Sequence, residues 1–394
     1  MGGVGVRLGY VCQYFTQDYR GPVTNLLDEL SKDIEVCNYS SAEKHMQYYG
    51  GGVHEEKTEK VSDNLVLRRY ENRLKISGLL FPRNLMELIS EDRPDILQSE
   101  EYYQPASHQA FRYARRNGIP FIFNHRGSEP RTRTLRERLF FNLANPLSKG
   151  LVRDSNAIVC LSQSGKNVIS GVYPGVEGKT HVIPNSIDPD AYSGADGGKF
   201  RMEHGVPSDI PLLLCVARLH PQKRVDLLVR SFAMVKEDVR DSMLCVVGPW
   251  FESEKKKIDS LISDLGLDDV VFTGSIPNER VKDAYAAADV VALTSEYEPF
   301  GYCLLEAMAQ SKPVVAFDIG AVSEIVEDGV TGYVSPFPDT EALASKAISM
   351  FEDGALSKKM GSNALERVRE RFLLSENAAR LVGLYEELLE YDGG

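Results

Sequence analysis

Short apolar runs that alternate with helix-period segments set the tightest limit on this chain. Val290–Leu293 is apolar and partly β-branched, as a strand covered on both faces must be. Thr294 to Pro299 is polar and ends in proline, which stops the strand. From Gly301 onward Leu304, Leu305 and Met308 recur at helical spacing. The same unit repeats along the chain. In the first half, strands are expected at residues 4–11, 34–39, 65–67, 95–98, 120–124, 157–161 and 180–183, and helices at 23–30, 82–90 and 106–117. In the second half, strands are expected at 211–217, 243–247, 270–273, 313–317 and 332–335, and helices at 225–235, 280–287, from 340 and at 375–390. Strands joined through helices run parallel, so the predicted class is α/β with doubly wound sheets. The polar span 40–60 reads as a loop, and 193–198 as a connector.

The chain has 394 residues, enough for two or three domains of roughly 100–200 residues. Its net charge of −12 is uneven. Residues 1–185 carry 24 Lys+Arg against 21 Asp+Glu, and residues 186–394 carry 21 against 36. That balance disfavours a general nucleic-acid role. No apolar stretch approaches the ~18 residues a membrane helix needs, and no signal peptide is expected. The six cysteines lack metal-like pairing and mostly lie in apolar runs, so free thiols in a reducing cytoplasm are expected.

Chemistry concentrates at the loop after Val290–Leu293. Glu298 precedes the helix and Glu306 lies inside it. The N–H groups of Phe300, Gly301, Tyr302 and Cys303 stand at the helix start, where they suit phosphate or sugar oxygens. A carboxylate beside phosphate is repelled, so Glu306 makes sense as an acceptor for the paired hydroxyls of a ribose, and Glu298 for a sugar ring. Spacing alone favours the plainer reading, in which Glu298 is a solvated loop residue and Glu306 a surface charge of the helix. Arg218 ends an expected strand and Lys223 follows five residues on. A guanidinium fork and an ammonium point charge can converge on one diphosphate.

The wider pattern carries a resemblance. Glu298-Pro-Phe-Gly-Tyr-Cys-Leu-Leu-Glu306 is followed by Pro313-Val-Val-Ala, Gly320-Ala-Val-Ser-Glu324 and Asp328-Gly-Val-Thr-Gly332. This run closely resembles the family 4 retaining glycosyltransferases, with Ala321 where a second glycine usually falls. Ile183-Pro-Asn-Ser-Ile-Asp188 is similar to the family's crossover between domains. Arg218-Leu-His-Pro-Gln-Lys223-Arg224 is similar to its Gly-Arg-Leu-x-x-x-Lys-Gly segment, with Ala217 and Arg224 replacing glycines.

The resemblance implies the GT-B fold, two Rossmann-like doubly wound domains facing a central cleft. Residues 1–185 would bind the acceptor, joined by a last helix, 375–394, that crosses back. Residues 186–374 would bind the donor. The implied reaction moves a hexose from a UDP- or GDP-linked donor to a hydroxyl on a glycan, lipid-linked sugar or small molecule. Retention is expected at the anomeric carbon, with neither cofactor nor metal. His125, Arg218, Lys223 and Glu298 would be catalytic. Gly21, Ser275, Ile276, Phe300–Cys303 and Glu306 would join Arg218, Lys223 and Glu298 in holding the donor. Pro22 would replace the family's second glycine beside Gly21. An epimerase on the same fold, or a non-catalytic binder of nucleotide sugars, are the alternatives.

Two stretches stand outside that pattern. Residues 131–153 carry six basic residues against Glu137, interleaved with Leu135, Leu139, Phe140, Phe141 and Leu143. They read either as a surface for anionic lipid on the inner face of a membrane or as a core helix with a solvated basic face. Asp188-Pro-Asp190 reads as turn chemistry rather than a metal motif, and Lys255–Lys257 as a solvated helix face.

Overall fold

Each apolar run of the first half becomes a strand of one sheet. The computed structural model describes residues 5–17, 21–44, 52–76, 78–127 and 135–391, with the backbone alone for Arg136, Glu137 and Tyr391. Val4 of the first expected strand, residues 45–51 of the expected loop, 131–134 of the basic stretch and 392–394 of the last helix lie outside the described residues. The chain divides into two units, one up to Asn185 plus Leu374 onward, and the other Ser186–Leu373.

In the first unit the strands are β1 (Arg7–Val11), β2 (Glu35–Ser41), β3 (Thr58–Lys60), β4 (Leu65–Tyr70), β5 (Asn72–Ile76), β6 (Leu79–Pro82), β7 (Ile96–Glu100), β8 (Phe121–His125), β9 (Ala157–Cys160) and β10 (Thr180–Val182). Between them lie α1 (Pro22–Leu30), α2 (Leu85–Asp92), α3 (Pro105–Asn117), α4 (Leu135–Asp154) and α5 (Gln163–Val172). The main sheet runs β10-β9-β8-β7-β1-β2-β4-β3, and only β3 is antiparallel to its neighbour. β5 and β6 form a separate hairpin. β3 corrects part of the loop expected at 40–60. Its exposed Thr-Glu-Lys carries no apolar signal and is a strand only because the β4 edge offers it hydrogen bonds.

The second unit holds α6 (Gly197–Glu203), β11 (Leu212–Val216), α7 (Val225–Asp238), β12 (Met243–Val247), α8 (Glu252–Asp264), β13 (Val270–Gly274), α9 (Val281–Ala287), β14 (Val290–Leu293), α10 (Tyr302–Ala309), β15 (Val314–Phe317), α11 (Val322–Ile325), β16 (Gly332–Ser335), α12 (Thr340–Glu352) and α13 (Gly354–Arg371). Its sheet, β13-β12-β11-β14-β15-β16, is parallel throughout. β11, β12, β14 and β15 are almost wholly buried, which is why they read as unbroken apolar runs. α6 overturns the end of the connector expected at 193–198. Asp196 caps it by accepting from the Lys199 N–H at 2.9 Å.

The last helix, α14 (Leu374–Tyr391), belongs to the first unit. Its Ala378, Leu381, Leu384 and Tyr385 pack with Leu8, Tyr10, Leu27 and Leu30 in one core. Each fully buried leucine contributes about 1.5–3 kcal/mol. The Tyr385 hydroxyl donates to Gln98 Oε1 at 2.5 Å, tying the helix to β7.

Candidate functional site

In the second unit the chain order reverses between β11 and β14. Open parallel sheets leave a ligand-binding crevice at the carboxyl ends of the strands at such a point. Residues 217–224 leave β11 there, and residues 294–300 leave β14. Hydrogen bonds stitch the two loops together. The Glu296 N–H donates to the Gln222 carbonyl at 2.8 Å, Gln222 Nε2 to the Tyr297 carbonyl at 2.8 Å, and Thr294 Oγ1 to the Lys223 carbonyl at 3.1 Å.

That stitching sets Lys223 Nζ 2.6 Å from Glu298 Oε2, with side-chain exposures of 18% and 12%. Ser295 Oγ donates to the same oxygen at 3.2 Å. Burial alone would depress the lysine pKa, but the Glu298 carboxylate more than offsets it, so the ammonium titrates above the usual range. Arg218 stands half-buried at the carboxyl end of β11.

Backbone geometry bears on two of the departures in the glycine pattern, Arg224 and Ala321. Arg224 sits at φ 46° and ψ 45°, the left-handed region that favours glycine. Its side chain forms a two-pronged pair with Asp226, both bonds at 2.9 Å, and its guanidinium lies 5.8 Å from the Phe337 ring. Gly320, at φ 54°, lies where any Cβ would collide with the Glu298 carbonyl oxygen. The glutamate loop therefore closes only over a glycine. Ala321 is fully buried at φ −98°, where a methyl group is at ease.

α10 begins at Tyr302 after Gly301, whose φ of 92° turns the chain into the helix. The Tyr302 and Cys303 N–H groups stand in the first turn of the helix, at the positive end of its dipole. Phe300 is 3% exposed and its ring meets Phe372 edge-on at 6.2 Å, anchoring the loop. Burial, then the Glu298 charge, pushes the Cys303 thiol up and keeps its proton on. Glu306, half-buried, accepts from the Tyr192 hydroxyl at 2.9 Å on Oε1 and from the Tyr285 hydroxyl at 2.8 Å on Oε2. Burial raises its pKa and the two tyrosine bonds partly reverse the shift. Each carboxylate oxygen keeps a further lone pair for a ligand hydroxyl. Sequence reasoning missed both tyrosines, which lie 114 and 21 residues from Glu306 with no shared motif.

Ser275 and Ile276 follow β13, two strands away from β11. Gly274 adopts φ 72°, the left-handed region, and the Trp250 ring lies at ordinary contact distance, 3.4 Å, from where a Cβ would stand. Trp250 is 40% exposed beside this loop, a second feature that spacing did not signal. Lys256 and Lys257 are exposed, as expected for a solvated face, but Lys255 is not. Its ammonium lies 4.3 Å from the Phe272 ring and 5.7 Å from Trp250.

Gly21 and His125 belong to the first unit. Gly21 precedes α1 at φ −142°, extended backbone open to any residue, with Pro22 at the first helical position. His125, the last residue of β8, is 1% exposed, so its ring presents almost no surface to a ligand. Its Nδ1 lies 3.5 Å from Glu101 Oε2, and both ring nitrogens and that oxygen lack hydrogen-bond partners. Glu101 is itself held at φ 55°. Next to it, Glu100 accepts from Arg126 Nη2 at 2.7 Å and Asn124 Nδ2 at 2.8 Å. Asp188 accepts from the Asp190 N–H at 3.0 Å, capping a short turn.

With this geometry in hand, two family models match the chain. "Glycosyltransferase Family 4" matches residues 23–191, and "Glycosyl transferases group 1" matches residues 198–367. A Bacillus anthracis protein, N-acetyl-alpha-D-glucosaminyl L-malate synthase, is 31% identical over 211 residues, which are 53% of this chain and 54% of that protein. The chain thus aligns with about half the length of that relative. The sucrose-phosphate synthase from Thermosynechococcus elongatus superposes with a TM-score of 0.79 at 19% identity, over 98% of this chain and all of that one. Anabaena HepE in complex with UDP-glucose superposes with a TM-score of 0.75 at 20% identity, over 97% of this chain and 99% of that one. These superpositions identify the fold as GT-B, with two Rossmann-like domains.

Proposed function

The chain belongs to the glycosyltransferases that these two models describe, and from that premise we propose that it moves a sugar from a nucleotide diphosphate to an acceptor hydroxyl with retention at the anomeric carbon. The observation that carries the reading is the Lys223–Glu298 pair, set beside a helix start at the reversal point of a parallel sheet.

Breaking the bond from sugar to phosphate leaves charge on the diphosphate. An ammonium has three donors, so Lys223 can keep one on Glu298 and aim the others at that charge. Arg218 and the N–H groups of Phe300–Cys303 would add donors to it. Such fixed donors stabilise a leaving anion without reorganising, and the reading needs neither metal nor cofactor. Glu298, its charge partly offset by Lys223, would orient the donor sugar, and Glu306 would accept from the ribose hydroxyls. Ser275 and Ile276 would line the rest of the donor's path in the second unit, and the resemblance also gives Gly21 a donor-binding role. The resemblance also gives His125 a catalytic role, which its buried ring could take only if the end of β8 opened.

The HepE structure holds UDP-glucose, which makes UDP-linked hexoses the first donors to try, with GDP-linked sugars next. The acceptor class extends to glycans, lipid-linked sugars and small molecules. Incubation with labelled donors and an acceptor library, with product configuration read by NMR, tests the reading. Transfer with an inverted anomeric carbon would remove the retaining mechanism. An epimerised donor, or tight binding without turnover, would replace the transferase by an isomerase or a binding protein.

A further inference from the structure

α4 separates its two faces cleanly. Ala144, Ser148, Leu151 and Val152 are buried, and Phe140 and Phe141 meet the Tyr103 ring edge-on at 5.9 and 5.1 Å. Leu135, Leu139, Leu143 and Leu147 point the other way, with exposures of 76%, 58%, 71% and 78%. Steps of four residues turn about 40° each, so the stripe covers about a third of the helix circumference over about 18 Å. A helix packed only to serve the core has no use for it, since each exposed leucine forgoes the gain of burial. Arg138, Lys149 and Arg153 are exposed along one border of the stripe.

We propose that this face of α4 seats the protein on a bilayer surface rich in anionic lipid. Two observations choose that occupant. The stripe is cationic at its border although the whole chain carries −12, so the local charge complements anionic headgroups where the rest of the molecule does not. A second copy of the chain would meet the same basic border with like charge. Pro146 also lies on the outward side of the helix and has no N–H to return to the Asn142 carbonyl. A dry protein interface would bury that acceptor at a cost, whereas the hydrated headgroup layer satisfies it. Leucines would enter the acyl boundary while the arginines and lysine stay with the phosphates. Among the described residues no helix is long and apolar enough to cross a membrane, so the association is a surface one.

The test uses the full chain, independent of any transferase assay. It is sedimented with vesicles of phosphatidylcholine alone, and of phosphatidylcholine with an equal part of phosphatidylglycerol. The expected result is binding to the anionic vesicles only, weakening as salt rises. Leu143→Glu with Leu147→Glu should weaken it about tenfold or more, and Lys149→Gln about fivefold, with unchanged melting temperature. Leu143→Gln with Leu147→Gln serves as the milder pair if the charges disturb the helix. Wild type that stays in the supernatant, equal binding to both vesicles, or leucine variants that bind as wild type would each overturn the proposal. So would a wild-type dimer that the leucine variants dissolve, which would give the stripe to a second copy.

Discussion

Lys223 and Glu298 neutralise each other under a shared cover, so removing the amine does two things at once. It deletes a donor aimed at the proposed leaving group and leaves a half-buried carboxylate without its cation. Lys223→Ala should lower kcat with a UDP-sugar donor by about 100-fold to 1,000-fold, as loss of one oxyanion donor does. Turnover at the wild-type rate would remove the residue from the mechanism. The pair's pH signature has a definite sign. The folded pKa of Lys223 is raised, so its contribution is complete below the unfolded value of about 10.4 and fades only as pH climbs through the folded one. The melting gap between wild type and Lys223→Ala should therefore be flat across neutral pH and shrink only in strong alkali.

Glu306 behaves oppositely at working pH. Its folded pKa is also raised, here by burial, so the stability it lends is present below the unfolded value of about 4.3 and is lost as pH rises through the folded one. Once deprotonated, the buried carboxylate is a cost carried for the ligand. Glu306→Gln keeps an acceptor for one tyrosine and should melt as high as wild type or higher, by a margin that opens as pH rises above the unfolded value of about 4.3. Its donor affinity should fall. A variant that melts lower at pH 7 and binds donor normally would refute that account.

At the scale of elements, the site depends on loops that close over glycine. Gly320→Ala places a Cβ on the Glu298 carbonyl in a left-handed backbone, so the loop from 296 to 300 has to move. We expect loss of about 2 kcal/mol or more from strain and displacement, together with a fall in kcat, read by thermal melting and donor turnover. Unchanged melting would mean that the loop is softer than the geometry indicates. Packing at the same scale fixes the inner face of α4. A stripe of leucines beside basic residues is compatible with either face turned inward, and only packing against Tyr103 assigned Phe140 and Phe141 to the inside.

For the whole molecule, separate cores predict separate responses. The first unit includes α14, whose Tyr385 hydroxyl satisfies the buried Gln98. Tyr385→Phe leaves that amide oxygen without its donor, at about 1–3 kcal/mol. In calorimetry it should lower the melting of the first unit alone. UDP should raise that of Ser186–Leu373 alone, by about 2.7 kcal/mol at a hundred times its Kd. If UDP protects only the first unit, the donor has been assigned to the wrong half.

The sequence alone determined the parallel sheets, because strands buried on both faces must be apolar throughout and the helices between them must be amphipathic. It also marked Lys223, Glu298, Glu306 and the start of α10, since these lie within one loop of a strand end and local chain geometry carries them there. Tertiary structure alone decided what touches them. Tyr192 reaches Glu306 from 114 residues away, Gly320 makes room for the Glu298 carbonyl, and the exposed edge of β4 turns the polar residues of β3 into a strand. Those contacts depend on how distant segments meet in space, and no local pattern of apolar and polar residues records such a meeting.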